Sequence, residues 1–278
     1  MDFGQVEFTP PEDPRLIPWI KGYYIHADTD PEFHTKVTFY QNITTTLSIY
    51  KDSITRSAGR YRQQHYSKGA GFTTLLVGLV DKYQEVEFFG PLDRIAVVFH
   101  PGGINHFLDP PLGNLLERHY SMFTAYGDEF DTFLSRVFEA KGLLRKRQLL
   151  DAFLVTKFKA FEEVALLNAI DYLTQDPMGL KVEALAGRLG LSRRTLLRKF
   201  KKHLGYSVEE YKQVIKFRKA LLTFQKNRNE ENLAQIALDS SYYDQPDFNH
   251  HIKTQSDLTP KALFKQLRIV DDTLFWKP

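Results

Sequence analysis

Residues 182–205 read VEALAGRLGLSRRTLLRKFKKHLG, and this stretch decides how the second half of the chain is built. Leu185, Ala186 and Leu189 recur on one side of a short helix. Gly190 follows where a tight turn between helices needs a positive φ, which glycine adopts at no steric cost. Ser192 is placed to cap a second helix by accepting a bond from a first-turn N–H. In that helix Leu196, Phe200 and His203 fall on the inward side, while Arg194, Leu197, Arg198 and Lys201 share the opposite face.

The outer face is basic with one leucine in its middle. Arginines there are able to fork to guanine O6 and N7 or to phosphate, and an exposed Leu197 is able to pack on a thymine methyl. Arg193, Lys199 and Lys202, flanking this face, and Lys201 on it are placed to meet phosphates, which set register without reading sequence. The alternative is a solvated helical surface. Charge is segregated accordingly: Lys181 to Arg228 holds fourteen Lys and Arg against three acids, an excess of +11 that leaves −8 for the rest of a chain of net charge +3. A block that positive beside an acidic remainder suits a polyanionic partner.

Working outward, residues 207–225 (SVEEYKQVIKFRKALLTFQ) open with Ser207 and Glu210 as a capping box. Tyr211, Val214, Ile215, Ala220, Leu221 and Leu222 are expected to pack, with Lys212, Lys216 and Lys219 facing out. About 19 residues at ~1.5 Å each make a rod of ~28 Å, long enough to hold two reading units near one duplex turn apart. A second unit follows: a short helix from Asn232 to Asp239, a turn from Ser240 to Tyr243, and a helix capped by Asp244 that tolerates Pro246 in its first turn. Phe248 and Ile252 face in; Pro246, Asn249, His250 and Lys253 face out, with Lys253 a further phosphate contact.

From roughly Ala165 to Arg268 the chain resembles the double helix-turn-helix domain of the AraC/XylS family of transcription regulators. The matching residues are Leu196, Arg198, Phe200, Gly205 and Tyr211, then Ile236-Ala237, Tyr242, Phe248, Lys253 and Thr259-Pro260. The resemblance places base reading at Arg194, Leu197 and Arg198 in the first unit and at Gln245, Pro246, Asn249 and His250 in the second. It implies double-stranded promoter or operator DNA and RNA polymerase as partners, and no cofactor. Three departures stand out: Ser241 and Asp257 occupy positions usually held by glycine, and His250, with His251 beside it, replaces an arginine. With Asp244 and Asp247 against one lysine, the second unit is expected to contribute less affinity than the first. The two histidines are expected either to strengthen its binding below pH ~6.5, where imidazole gains charge, or to be neutral polar residues with no pH role.

The first half has another texture. Val37–Tyr40, Thr44–Tyr50, Thr73–Val80, Glu85–Phe89 and Arg94–His100 are short β-rich runs separated by turn formers, which predict an antiparallel barrel or sandwich. After Pro110-Pro111, helical spacing links Phe130, Phe133, Leu134, Val137 and Phe138, then Leu143, Leu150, Phe153, Leu154 and Phe158. That stripe either packs on the barrel or forms a dimer. In the family resembled, a cupin or jelly-roll barrel precedes the DNA-binding part and binds an effector, a dimer partner or both; Arg94 to Leu108 is similar to such a sensor. The overall expectation is an α+β chain, with a cupin-like barrel and helices over 1–163 and an all-α double helix-turn-helix over 164–278.

His100 and His106 flank a Pro-Gly-Gly turn and lack the closely spaced histidine pair and glutamate of cupin enzymes, so no metal is expected. A cupin-type metalloprotein with a DNA-binding appendage is the competing reading. Tyr40, Tyr50, Phe88, Phe89 and Phe99 line a pocket or simply fill the core. There is no cysteine, which removes disulfides and thiolate chemistry, and no nucleophile, phosphate loop or carboxylate-pair motif, so no catalysis is expected. The acidic start is unlike a signal peptide. The longest apolar run, Leu75 to Val80, falls far below the ~20 residues a membrane span needs. A cytoplasmic protein is the expectation.

Overall fold

The computed structural model describes residues 5–78, 80, 82–117, 120–176, 181–226, 233–269 and 275–277 of the 278. Asn232, expected at the start of a helix, and His119 lie outside the described residues.

Nine strands open the chain: β1 (Gln5–Thr9), β2 (Ile20–Asp28), β3 (His34–Tyr40), β4 (Thr45–Lys51), β5 (Ser53–Ala58), β6 (Tyr61–Tyr66), β7 (Phe72–Val77), β8 (Tyr83–Phe89) and β9 (Leu92–Phe99). A single 3-10 turn (Gly103–His106), α1 (Leu112–Leu115), β10 (Ser121–Met122), α2 (Asp128–Glu139) and α3 (Leu143–Lys157) follow. The strands make two open sheets in place of the expected closed barrel. One runs β1-β2-β9-β4-β7-β10; the other contains β3-β8-β6-β5. Pairing is antiparallel except between β6 and β8. These two run in the same direction because β7, between them in sequence, belongs to the opposite sheet.

The two sheets face each other over Val37, Tyr50, Leu75, Val86, Phe88 and Leu92. The other face of the first sheet is covered by α2 and α3, whose Phe130, Leu134, Leu150 and Leu154 pack on Tyr23, Ile25, Leu47 and Val97. The helical stripe thus buries itself on a sheet of its own chain. Coverage on both faces explains why β9 is almost continuously buried. Asp151 of α3 is buried as well; it accepts from the Tyr23 hydroxyl at 2.6 Å and from the N–H groups of Glu12 and Asp13 at 2.8 and 3.2 Å.

The helical part comprises α4 (Val164–Gln175), α5 (Val182–Arg188), α6 (Arg193–Leu204), α7 (Val208–Lys226), α8 (Leu233–Asp239), α9 (Gln245–Ser256) and α10 (Pro260–Gln266). It has two cores that share α7. Tyr211, Val214 and Ile215 join α4, α5 and α6 in one; Phe217, Ala220 and Leu221 join α8, α9 and α10 in the other. Serving two cores leaves α7 little free surface, so Lys212 and Lys216 are buried rather than turned outward. Past α10 the chain stops being helical: β11 (Arg268–Ile269) and β12 (Phe275–Lys277) pair with each other, and β12 pairs with β3 of the second sheet. No helix among the described residues is long and apolar enough to cross a membrane.

Candidate nucleic-acid interface

The first unit has the local chemistry its sequence dictates. Gly190 turns at φ 65°, and the Ser192 hydroxyl accepts the Thr195 N–H at 3.1 Å to start α6. Gly205, at φ 82°, ends the helix. Leu196, Phe200, His203 and Leu204 are buried, which turns Arg194, Arg198, Lys201 and Lys202 to solvent. Arg194 and Arg198 have no ion-pair partner among the described residues, so both guanidinium forks are available. Leu197 is half buried against the core of this unit, closer to the interior than an outer-face residue. Arg193 pairs with Glu183 at 2.7 Å. Lys199 is held by Glu163, which also lies 3.4 Å from Nε2 of His203.

In the second unit the Asp244 carboxylate accepts the Asp247 N–H at 2.8 Å and caps α9. Gln245, Pro246, Asn249, His250 and Lys253 are exposed on its outer side. Both positions where glycine gave way do take positive φ, 65° at Ser241 and 59° at Asp257. A side chain there costs on the order of 1 kcal/mol, but each makes a contact that glycine could not. Lys219 donates to the Ser241 hydroxyl at 2.7 Å. Asp257 takes Lys82 at 2.8 Å and Arg60 at 3.4 Å, both from the amino-terminal part.

The second unit is less acidic than its sequence suggests. Asp244 is used as a cap, and Asp247 pairs at 3.0 Å with Lys216, whose ammonium also sits 4.0 Å from the Tyr242 ring centre. Burial works to raise the Asp247 carboxyl, and Lys216 overrides it, holding it below its usual range. Of the two histidines only His250 is exposed. His251 is buried with Nδ1 at 2.6 Å from the Tyr242 hydroxyl; burial first and the Lys216 charge second push its pKa from 6.5 down to about 4.

Acid therefore acts on His251 in the opposite sense to stronger binding. Between about 4 and 6.5 the unfolded chain holds a proton that the folded one refuses, so stability is intact above that window and falls as pH drops through it. The loss approaches roughly 3 kcal/mol below pH 4. Thermal unfolding from pH 7 to 4.5 should show a steeper decline in the parent than in His251→Gln; parallel declines would show that the ring is not kept neutral by the fold.

The helical part is seated on the amino-terminal part at both units. Asn105 donates to the His203 carbonyl at 3.0 Å, at the last turn of α6. Gly113 of α1 lies so close that a Cβ there would stand 2.3 Å from the Lys201 carbonyl oxygen and 2.7 Å from that of Lys202. At the second unit Gln41 donates to Gln255 of α9, and the Tyr40 ring lies 6.1 Å from Phe217 of α7. Gly113→Ala should push α1 off α6 and speed hydrogen exchange in the last turn of α6, leaving the exchange of α9 as it was; unchanged exchange in α6 would mean that the contact is not held in solution.

Between the two sheets lies a cavity with about 80 Å³ of room for the centre of a water molecule. Tyr40, Gln41, Ser48, Arg62, Gln84 and Arg94 are among its walls. Of the aromatics expected either to line a pocket or to fill the core, Tyr40 lines it, whereas Tyr50, Phe88 and Phe99 are buried and Phe89 stacks on His34 and His65. Arg62 and Arg94 were not singled out from sequence. The signal for Arg62 was the alternation in β6, where Arg62 and Gln64 are the buried positions and Tyr61, Gln63 and His65 the outer ones. His106 is stacked on Trp19 at 3.7 Å and on Phe158 at 5.4 Å, with Nδ1 at 3.0 Å from the Lys159 carbonyl oxygen. His100 and His106 do not converge on a third ligand: among the described residues no three His, Asp or Glu side chains gather around one point.

The helix-turn-helix domain family matches residues 185–266, and the family described as a domain of unknown function (DUF6597) matches residues 7–121. Among solved structures the chain is similar to ToxT from Vibrio cholerae, at 12% identity and a TM-score of 0.44, over 94% of this chain and 97% of that one. A transcriptional regulator from Chromobacterium violaceum, of the proteins containing an AraC-type DNA-binding domain, is similar at 24% identity and a TM-score of 0.34, over 37% of this chain and 92% of that one. The xylose-binding transcription activator xylR is similar at 22% identity and a TM-score of 0.33, over 40% of this chain and 29% of that one. No curated protein matches the chain in sequence.

Proposed function

We propose that this chain, whose residues 185–266 match the helix-turn-helix domain family, is a transcription regulator of the AraC/XylS type that reads promoter or operator DNA with α6 and α9 and senses a small effector in its amino-terminal sandwich. Bases are read by Arg194, Leu197 and Arg198 in one half-site and by Gln245, Pro246, Asn249 and His250 in the other. Arg193, Lys199, Lys201, Lys202 and Lys253 meet phosphates, Lys199 after exchanging Glu163 for the duplex. The observation that carries this reading is the pair of capped helices, each with an exposed polar face, joined by the 19 residues of α7. At ~28 Å, that helix is close to the ~34 Å repeat of a duplex turn.

The division into a sensing part over 1–163 and a DNA-binding part over 164–278 belongs to the same proposal, as do a cytoplasmic site of action, contact with RNA polymerase and assembly as a homodimer. No reaction is assigned to the chain.

Selection of bound sequences from random duplexes tests the proposal. The expected winner has two half-sites about one turn apart and a log–log salt slope of about −4 or steeper, from some five phosphate contacts. Lys202→Ala should make that slope shallower by about 1 and weaken all sequences alike. Absence of any enriched sequence, with the full chain and across several salt concentrations, would reject it.

A further inference from the structure

Arg62 of β6 and Arg94 of β9 come from opposite sheets and are both buried in the interior between them, 3% and 7% exposed. Their guanidinium carbons lie 6.0 and 5.6 Å from the centre of one ring, that of the fully buried Tyr50. Two like charges are thus gathered around a single point, and among the described residues neither has a carboxylate within ion-pair distance. Among the described residues the walls of the adjoining cavity contain no Asp or Glu. The partners that are present are hydroxyls: Arg62 donates to the Tyr50 hydroxyl at 3.3 Å and Arg94 to the Ser48 hydroxyl at 3.1 Å; burial works to raise the Tyr50 hydroxyl, and the two arginines override it, holding it below its usual range. Nε and Nη1 of Arg62, Nε of Arg94 and the Nε2 amide of Gln84 are buried without a hydrogen-bond partner.

A buried charge without a counter-ion costs several kcal/mol, and a guanidinium does not escape the cost by losing its proton. The physical remedy is an anion from outside. The cavity beside the two arginines is small, and Phe39, Val77 and Val80 add apolar surface to its polar walls. That combination suits a compact organic acid, charged at one end and apolar at the other. Guanidinium forks match the planar geometry of a carboxylate better than any neutral hydroxyl.

We propose that the cavity between the two sheets binds a small carboxylate through Arg62 and Arg94, with the Tyr50 and Ser48 hydroxyls and Gln84 around them. Burial lowers the proton affinity of Arg62, Tyr50 works against that, and the charge of Arg94 lowers it further. Tyr40 and Gln41 line the same cavity and are the residues that touch α7 and α9, so an occupied site adjoins the second DNA-reading unit directly. The regulatory use of the site rests on the sensing role proposed above; the site itself does not.

Thermal unfolding of the full chain without DNA is the test, in sodium acetate and sodium benzoate against sodium chloride and benzamide at matched ionic strength. The carboxylates should raise Tm by roughly 5–10 °C at a hundredfold their Kd, and benzamide should not. Arg62→Met Arg94→Met should be more stable than the parent in chloride and should lose the carboxylate response. Equal Tm in all four media, or a carboxylate shift that survives the double substitution, overturns the site. The comparison of acid with amide needs no variant, so it stands even where the substituted chain fails to fold. Failure to select a DNA sequence, by contrast, would bear on the regulator reading alone.

Discussion

A chain carrying Arg194→Ala and Arg198→Ala together is expected to bind its selected duplex at least about thirtyfold more weakly than the parent and to lose base preference across one half-site only. The two arginines are four residues apart on α6, both exposed and neither tied to an acid. Each is free to fork to a guanine, a contact whose removal costs ~1–3 kcal/mol; two such losses amount to roughly 2–6 kcal/mol. Stability should stay within about 0.5 kcal/mol of the parent, because neither side chain packs. Titration at fixed salt against the selected site and against a duplex scrambled in one half-site separates the outcomes. If both duplexes weaken equally, the arginines meet phosphates and the reading face lies elsewhere.

The second large effect lies inside the fold. Phe248→Ala should destabilise the second unit by roughly 3–5 kcal/mol, the usual range for emptying a buried phenylalanine site. The ring is fully buried; it meets Tyr242 edge-on at 5.0 Å and Phe264 at 6.3 Å, and Phe264 stacks on Phe224 at 3.8 Å. Removing it takes support from the Tyr242–His251 hydrogen bond and from the seat of α9. The first unit has its own core, so the variant should still protect one half-site in a footprint while hydrogen exchange in α8 to α10 rises sharply. A loss below about 1 kcal/mol with both half-sites still protected would mean that the second core does not depend on this ring.

Most of the helical part was legible because its signals are local. Gly190, Ser192, the Ser207–Glu210 box and Asp244 act within a few residues of themselves, and the structure shows the predicted hydrogen bonds for each cap. Positive φ at Ser241 could be read because the turn demands it whatever occupies the position. Lys212, Lys216 and His251 were read less well. A lysine on a helix reads as outward-facing until a second core, or an acid such as Asp247 on another helix, takes it in. In the amino-terminal part five strands were found by their apolar runs, while β6 escaped because its inward residues are Arg62 and Gln64. A polar interior looks like a surface when only one strand is in view. The strand that shows the cavity was hidden by the cavity's own chemistry. β2 was missed because Lys21, Gly22 and His26 interrupt its apolar run, although most of its residues are buried.

The pairing of β12 with β3 gives the chain an unusual mechanical layout. The helical units leave the sandwich after α3, rest on it along α6 and α9, and are clipped to it once more by residues 275–277, so those contacts are enclosed between a covalent link and a β-ladder. A single proteolytic nick between α3 and α4 would leave the DNA-reading part still clipped to β3. Large excursions are closed to a part held at both ends. β3 ends in Tyr40, at the cavity wall, so the second anchor lies next to the place where a ligand would arrive.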